Sequence, residues 1–531
     1  MINESQTATL QQFFQGNALK ELGLSEKAIH HYQQGLALYP DNAELWYNLG
    51  TDLLTVPRLP EAVQALQQAI SLKPDLAEAY TNLGFALAGQ GLSTDAIHCY
   101  QQGLSICPDN VQLWFNLGTA FIELQRLPDG AAALQQAIAL KPDFAAAYTN
   151  LGHALLNLQR LSEAVEVFQQ VIALKPDFAA AYSNLGNALQ AQGKAEDAIK
   201  AYNRAIALNP TEPDVYINRS MATLLSGDLA RGFAEYERRT KSKRYRFYHE
   251  WSSDLPHWHG ESFSGKRLLV YAEQGLGDII QFSRYLPLVK ARGGTVQFSV
   301  PQPLLRLFAH LSGVDELVEH TADAIARIQF DLVVPLLSLP YIFGTTLPTV
   351  PADTPYLFTA KHCIAAWRGK VKGPGATFRV GLVWSGNPDN TNKYIRNCSL
   401  QAMSPLCGIP GVIFYSLQKG KAASQAGTPP PGMQFIDLTE EITDFADTAT
   451  LIMNLDLVIT VDTAVAHLAG ALGKPVWTLL PAAGEWRWLL SRNDTPWYPA
   501  MRLFRQSAPG DWSSVMTAVA YELRMLASAK V

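Results

Sequence analysis

The dipeptide Pro-Asp recurs at Pro40, Pro74, Pro108, Pro142 and Pro176, and Pro210-Thr211 continues the series, each step being 34 residues. A fixed period of this size marks a supersecondary unit that cannot bury its apolar face alone, so the units must stack. In the second unit Trp46, Leu49, Gly50 and Leu53 fall at i, i+3, i+4 and i+7, one face of a first helix. Ala62, Leu66 and Ala69 form the facing stripe of a second helix. Pro60-Glu61, Ser93-Thr94-Asp95, Pro128-Asp129 and Ser162-Glu163 are starters for that second helix, and the recurring proline ends it. The units fall near 9–42, 43–76, 77–110, 111–144, 145–178 and 179–212, with a degenerate seventh at about 213–244.

This spacing identifies residues 9–244 as tetratricopeptide (TPR) repeats, an all-α superhelical solenoid. The first helix of six units carries an asparagine at one position: Asn48, Asn82, Asn116, Asn150, Asn184 and Asn218. The preferred reading is that these amides hold adjacent repeats together. The alternative is an acceptor groove, a ladder of donors and acceptors for an extended peptide. That ladder resembles the one in the superhelix of protein O-GlcNAc transferases.

The remaining length has a different character. Nine of the eleven tryptophans lie beyond residue 250. Residues 245–265 are read as a packed connector, and the basic run Lys241–Arg246 as solvated surface. Apolar strand candidates then alternate with helix candidates: 267–271, 296–300, 331–336, 379–384, 412–416, 455–461 and 475–479 against 278–291, 302–312, 446–454, 463–472 and 512–527. Such alternation predicts parallel sheets. The Pro-, Thr- and Gly-rich stretch 343–378 divides them into two Rossmann-like lobes, 266–360 and 375–531, with ligands expected beyond the carboxyl ends of the strands. The two halves of the chain are expected to separate at 240–245.

The balance of 42 basic and 47 acidic residues gives a net charge of −5, which offers a nucleic acid no general basic face. Five scattered cysteines without a C-x-x-C pair predict neither a disulfide framework nor a zinc site. The first ten residues lack the regions of a secretory signal, and no apolar run is long enough for a transmembrane helix. A cytoplasmic location is the expectation.

Four segments carry candidate chemistry. Gly275-Leu276-Gly277-Asp278 follows a strand and opens a helix, but Ile280 stands where a dinucleotide fingerprint needs a third glycine. Asp278 is then either a helix cap or a general base, with Gly275 and Gly277 leaving room for substrate. Asp462-Thr463-Ala464 enters a second helix, with Asp462 the expected N-cap and free N–H groups suited to a pyrophosphate. His467, one turn further on, is a candidate phosphate ligand through a charged hydrogen bond. Lys393 and Arg396 after Gly386-Asn387-Pro388, and Gln418 and Lys419 after the next strand, place polar and cationic groups at strand ends. No Asp-x-Asp pair is present to hold a metal on a diphosphate, so helix termini and cations are expected to neutralise the leaving group, with no metal and no other cofactor.

Over roughly 266–527 the chain resembles the heptosyltransferase-like glycosyltransferases of the two-lobed GT-B fold. The resemblance lies in Gly275–Asp278, in Asp462-Thr463 with His467-Leu468-Ala469, and in Ala471-Leu472-Gly473-Lys474-Pro475. The segments Gln274–Pro287, Gly386-Asn387-Pro388, Ser416–Gly420 and Trp486-Arg487-Trp488 are similar to a bacterial subgroup with TPR repeats in front. The resemblance implies Asp278 as base, and Asp462, Thr463, Ala464, His467, Gln418 and Lys419 around a nucleotide-diphosphate sugar. Lys393 or Arg396 would neutralise the diphosphate. It implies an inverting transferase, hexosyl- or heptosyl-type, with a protein acceptor or partner recruited by the repeats. The alternatives are a TPR scaffold with an inactive transferase domain and a glycan- or lipid-directed enzyme.

Overall fold

The computed structural model describes residues 4–371, 377–386 and 396–529. The chain divides into two compact units, Met1–Ala188 and Leu189–Val531. The division falls inside the run of repeats, whereas sequence periodicity continues to about 244.

The first unit is built of helix pairs, such as Ala43–Thr55 with Leu59–Leu72 and Ala77–Gly89 with Ser93–Ile106. Each repeat closes through small, local devices. The first helix must touch the second, and Gly50 permits it: a Cβ there would lie 2.6 Å from Leu66 Cγ. The aromatic residue near the start of the first helix bonds back to the proline that ended the previous unit. Trp46 Nε1 donates to Pro40 O and Trp114 Nε1 to Pro108 O, both at 2.7 Å, and Tyr80 Oη donates to Pro74 O at 3.2 Å. These bonds satisfy the proline carbonyls in the turn just past each helix end. The ion pairs Arg58–Glu61, Arg126–Asp129 and Arg160–Glu163 at the inter-helix turns are exposed, and pairs of that kind contribute little.

The asparagines join repeats. Asn48 Nδ2 donates to Asn17 Oδ1 at 3.1 Å, Asn82 Nδ2 to Thr51 Oγ1 at 3.2 Å and Asn150 Nδ2 to Thr119 Oγ1 at 3.1 Å. Each bond reaches 31 residues back, to the first helix of the preceding repeat. Asn116 Oδ1 accepts from Gln112 Nε2 at 2.8 Å, and Asn184 is half-buried on helix Ala179–Ala191.

The second unit contains the last repeat helices, Pro213–Leu225 and Leu229–Tyr236, and two parallel sheets. The first sheet comprises β1 (Arg267–Tyr271), β2 (Thr295–Val300), β3 (Glu316–Glu319) and β4 (Leu332–Pro335) in the order β3-β2-β1-β4. The second comprises β5 (Phe378–Val383), β6 (Val412–Ser416), β7 (Phe435–Asp437), β8 (Leu457–Val461), β9 (Val476–Leu480) and β10 (Met501–Arg505) in the order β10-β9-β8-β5-β6-β7. Strands β8 and β9 are buried along their whole length, as parallel strands covered on both faces must be. The fold is therefore an all-helical TPR region followed by two-sheet α/β architecture.

The last repeat and both lobes share one core, in which Leu224, Phe233, Phe282 and Trp486 are buried together. A buried charge network pins the repeat to the first lobe. Arg239, fully enclosed, donates from Nε to Glu273 Oε2 at 3.1 Å and from a terminal nitrogen to Glu273 Oε1 at 2.7 Å and Ser338 Oγ at 2.9 Å. It also pairs with Glu237 at 2.5 Å, and His249 Nε2 lies 3.1 Å from Glu273. Burial alone would push the Glu273 carboxyl up, but Arg239 and then His249 hold it at about 2. The basic run is not wholly solvated surface: its Lys and Arg side chains are exposed, but Ser242 is buried, and Arg244 and Tyr245 line the cleft described next.

Candidate active site

The carboxyl ends of β1 and β8 each turn into a short helix, Leu276–Phe282 and Ala464–Ala471, and these two helices touch. Gly277 makes the contact possible, because a Cβ there would lie 2.9 Å from His467 Cδ2 and 3.4 Å from Ala464 Cα. Around this junction opens a cleft of about 990 Å³. Gly275, Gly277, Asp278, Arg396, Gln418, Lys419, Asp462, Thr463, Ala464 and His467 all line it, although they come from four separate segments of sequence. Asn218, of the asparagine series, lines it too; Asn387, Pro388 and Lys393 fall outside the described residues.

Of the two roles that the sequence allowed, the contacts of Asp278 include that of a helix cap. Its Oδ2 accepts from Gly275 N at 3.0 Å, closing the start of its helix, while Oδ1 is ion-paired with Arg487. Arg487 and Glu485 are the important residues that residue-level reasoning missed. Their signal in the sequence is Trp486-Arg487-Trp488, a segment that carries a resemblance but no chemical motif of its own. Arg487 pairs with Glu485 as well as Asp278, donates from Nε to Gln281 Oε1 at 2.5 Å and lies 4.3 Å over the Trp486 ring. Burial works against its charge, but Glu485, then Asp278 and Asp462, outweigh it and raise its pKa. Burial likewise raises Glu485, against the pull of Arg487.

The second helix differs from expectation at its first residue. Thr463, with extended backbone at φ −142° and ψ 171°, is the N-cap, so Asp462 stands one residue too early to cap. Among the described residues no side chain caps this helix: the Thr463 hydroxyl is 3.1 Å from Thr460 Oγ1, and Asp462 faces Arg396 at 3.5 Å. The first-turn N–H groups are left for a ligand or water.

His467 is not a charged ligand. Burial first, and then the charge of Arg487, push its pKa down to about 3, so the ring is neutral. Its Nδ1 is 2.9 Å from Tyr498 Oη and the ring stacks on Trp488 with centroids 5.4 Å apart. Gln418 shapes the cleft. Its Oε1 accepts from Trp384 N and Ser385 N at 3.1 and 2.8 Å, and its Nε2 donates to Ser385 O and Lys419 O, both at 2.9 Å. That commits the whole amide to tying two strand-end loops together, with nothing left for a donor. Lys419 Nζ is anchored to Thr439 O at 2.7 Å and Ile442 O at 3.0 Å, which fixes its charge beside the cleft.

Comparison with known proteins agrees with this architecture. Residues 81–145, 115–179, 149–213 and 183–244 match a tetratricopeptide repeat family, and 16–51 and 58–91 match a second TPR repeat family. Residues 422–495, which include Asp462, Thr463, His467 and Glu485–Arg487, match glycosyltransferase family 9 (heptosyltransferase). The chain thus carries TPR repeats and, over 422–495, a segment that matches glycosyltransferase family 9. It is 30% identical over 299 residues to the protein FlbA of Caulobacter vibrioides, a match covering 51% of this chain and 48% of that protein. The chain spans about half the length of the curated relative it matches. Among solved structures, it is similar to YrrB, described as a TPR protein with an unusual peptide-binding site, at 24% identity over 34% of this chain and 93% of that one, TM-score 0.32. It is also similar to MamA, at 25% identity over 32% of this chain and 92% of that one, TM-score 0.31. No helix among the described residues is long and apolar enough to cross a membrane.

Proposed function

We propose that the second unit is an inverting glycosyltransferase that takes a sugar from a nucleotide-diphosphate donor. The observation that carries this reading is the single cleft in which a carboxylate, Asp278, faces an uncapped helix start at Thr463–Val465 with Arg396 and Arg487 beside it. Asp278 takes the proton of the acceptor hydroxyl. The hydroxyl oxygen bonds to the anomeric carbon as the bond from that carbon to the phosphate oxygen breaks, and the electron pair leaves with the nucleoside diphosphate. The helix N-terminus and the guanidiniums stabilise that departing charge without a metal. Neutral His467 lends its ring as a fixed wall and hydrogen-bonding group rather than as a cation. The repeats recruit the acceptor, which we take to be a protein.

The test is a thermal-shift panel of UDP, ADP and GDP on the full chain, with and without EDTA. One of the three nucleotides is expected to raise the melting temperature, and EDTA to leave the shift intact. Failure of all three refutes the donor site, and a shift abolished by EDTA refutes metal independence.

A further inference from the structure

Arg487 is a cation of the cleft that bridges the two lobes. It sits in the one-turn segment Trp486–Trp488 after β9, yet it reaches across to the other lobe, to Asp278 and Gln281 on helix Leu276–Phe282. On its own side it pairs with Glu485, and the field of Asp462 also reaches it. Arg487, Asp278 and the helix start at Thr463 all line the one cleft. Three carboxylates, Asp278, Glu485 and Asp462, crowd around Arg487 and Arg396. Lys419 is already tied to two carbonyls.

An anion arriving at the helix start enters a site whose nearest guanidiniums are already spoken for. It gains a cation by drawing one from a carboxylate. Asp278 can lose its partner without moving, because Oδ2 stays bonded to Gly275 N at 3.0 Å and only the contact at Oδ1 is exchanged. While Arg487 is paired with Oδ1 and Gly275 N with Oδ2, neither oxygen of Asp278 is open to an acceptor hydroxyl. Once Arg487 leaves, Oδ1 is open to it.

Resting on the donor site proposed above, we propose that Arg487 is a positioning residue that changes partners. Without nucleotide it holds Asp278 in an ion pair, and a bound nucleoside diphosphate takes the guanidinium and frees Asp278 for the acceptor hydroxyl. The base is thereby kept from activating water until the donor is in place.

A double-mutant cycle on nucleotide binding tests this without any acceptor. Calorimetric affinities of whichever of UDP, ADP and GDP binds the wild-type chain are measured for Asp278→Asn, Arg487→Met and the double variant. Arg487→Met is expected to weaken binding roughly tenfold or more, the scale of losing a charge-assisted hydrogen bond. Asp278→Asn is expected to tighten binding by roughly several-fold, because the competitor for Arg487 is gone, and that gain is expected to vanish in the Arg487→Met background. Equal tightening in both backgrounds means simple relief of repulsion and overturns the exchange. So does no tightening at all. If Arg487→Met does not fold, Arg487→Lys takes its place, and retention of part of the gain in the Asp278→Asn background supports the exchange. If none of the three nucleotides binds the wild-type chain, the donor site is refuted and the exchange with it, whereas binding with an additive cycle refutes the exchange alone.

Discussion

Arg239→Met is the most demanding test of how the last repeat joins the first lobe. The side chains of Arg239 and Glu273 are both fully enclosed, so removing the guanidinium strands a buried carboxylate beside His249 and the Leu337 N–H alone. Breaking a buried pair in this way costs about 3–5 kcal/mol. The Glu273 pKa leads to the same figure: a fall from 4.5 to about 2 corresponds to about 3 kcal/mol of stability. The sign follows, since a depressed carboxyl pKa stabilises the fold above the unfolded value, and that contribution is lost as pH drops from about 4.5 towards 2. Urea unfolding followed by tryptophan fluorescence reports on this region, because nine of the eleven tryptophans lie beyond residue 250. With a urea slope of about 3 kcal/mol/M, the midpoint for Arg239→Met should fall by about 1 M or more. The double variant Arg239→Met/Glu273→Gln should recover most of that loss, because replacing both partners of a buried pair is far milder than removing one. The same reasoning moves the cut expected at 240–245: a fragment starting at 245 loses Arg239 and should fold poorly, whereas 189–531 keeps it and should fold. A midpoint unchanged by Arg239→Met, a double variant no better than the single, or a well-folded 245–531 would refute the argument.

Two further outcomes follow from the hydrogen bonds and burial described above. His467 should stay neutral from pH 5 to 8 in an NMR titration of its imidazole resonances, and a protonation midpoint near the ordinary 6.5 would show that its burial is overstated. Asn82→Ala and Asn150→Ala should each cost the repeats about 1 kcal/mol, seen as a lower far-UV melting temperature, because each removes a half-buried bond between neighbouring repeats. Unchanged melting together with reduced turnover of a protein acceptor would instead assign these side chains to the groove.

The repeats were legible because their rules are local. A 34-residue period, a glycine at the helix contact and an aromatic residue six positions after a proline are all readable from neighbours along the chain. Strands β1, β2, β4, β5, β6, β8 and β9 were legible for a related reason, since strands buried on both faces read as apolar runs. The strands missed were β3, β7 and β10. The first two are short edge strands with little to bury, and β10 interleaves Arg502 and Arg505 with its apolar residues, so none of the three stands out as an apolar run. Helix 278–291 was expected in one piece, but it is Leu276–Phe282 followed by a tighter turn at Ser283–Tyr285 and a new helix at Leu286–Lys290, with Pro287 at the restart. Helix Lys361–Arg368 lay hidden in a stretch read only as a divider.

The site divides along the same line. Asp278, Asp462, Thr463 and His467 could be singled out because each stands where a strand runs into a helix, a position that local sequence betrays. Their partners could not. Arg487 lies 209 residues from Asp278, Tyr498 lies 31 from His467, and Arg239 lies 34 from Glu273. Reading Asp278 alone gives a base, and reading His467 alone gives a cation. Only the fold shows that the first is already ion-paired and the second too buried to favour the extra proton that would charge it. Roles that depend on the charge of a side chain are set by what packs against it, so the sequence can name the residue and leave its protonation and partner to tertiary structure. For a two-lobed cleft this matters twice over, because the partner comes from the opposite lobe and its contact is the one a ligand between the lobes can exchange.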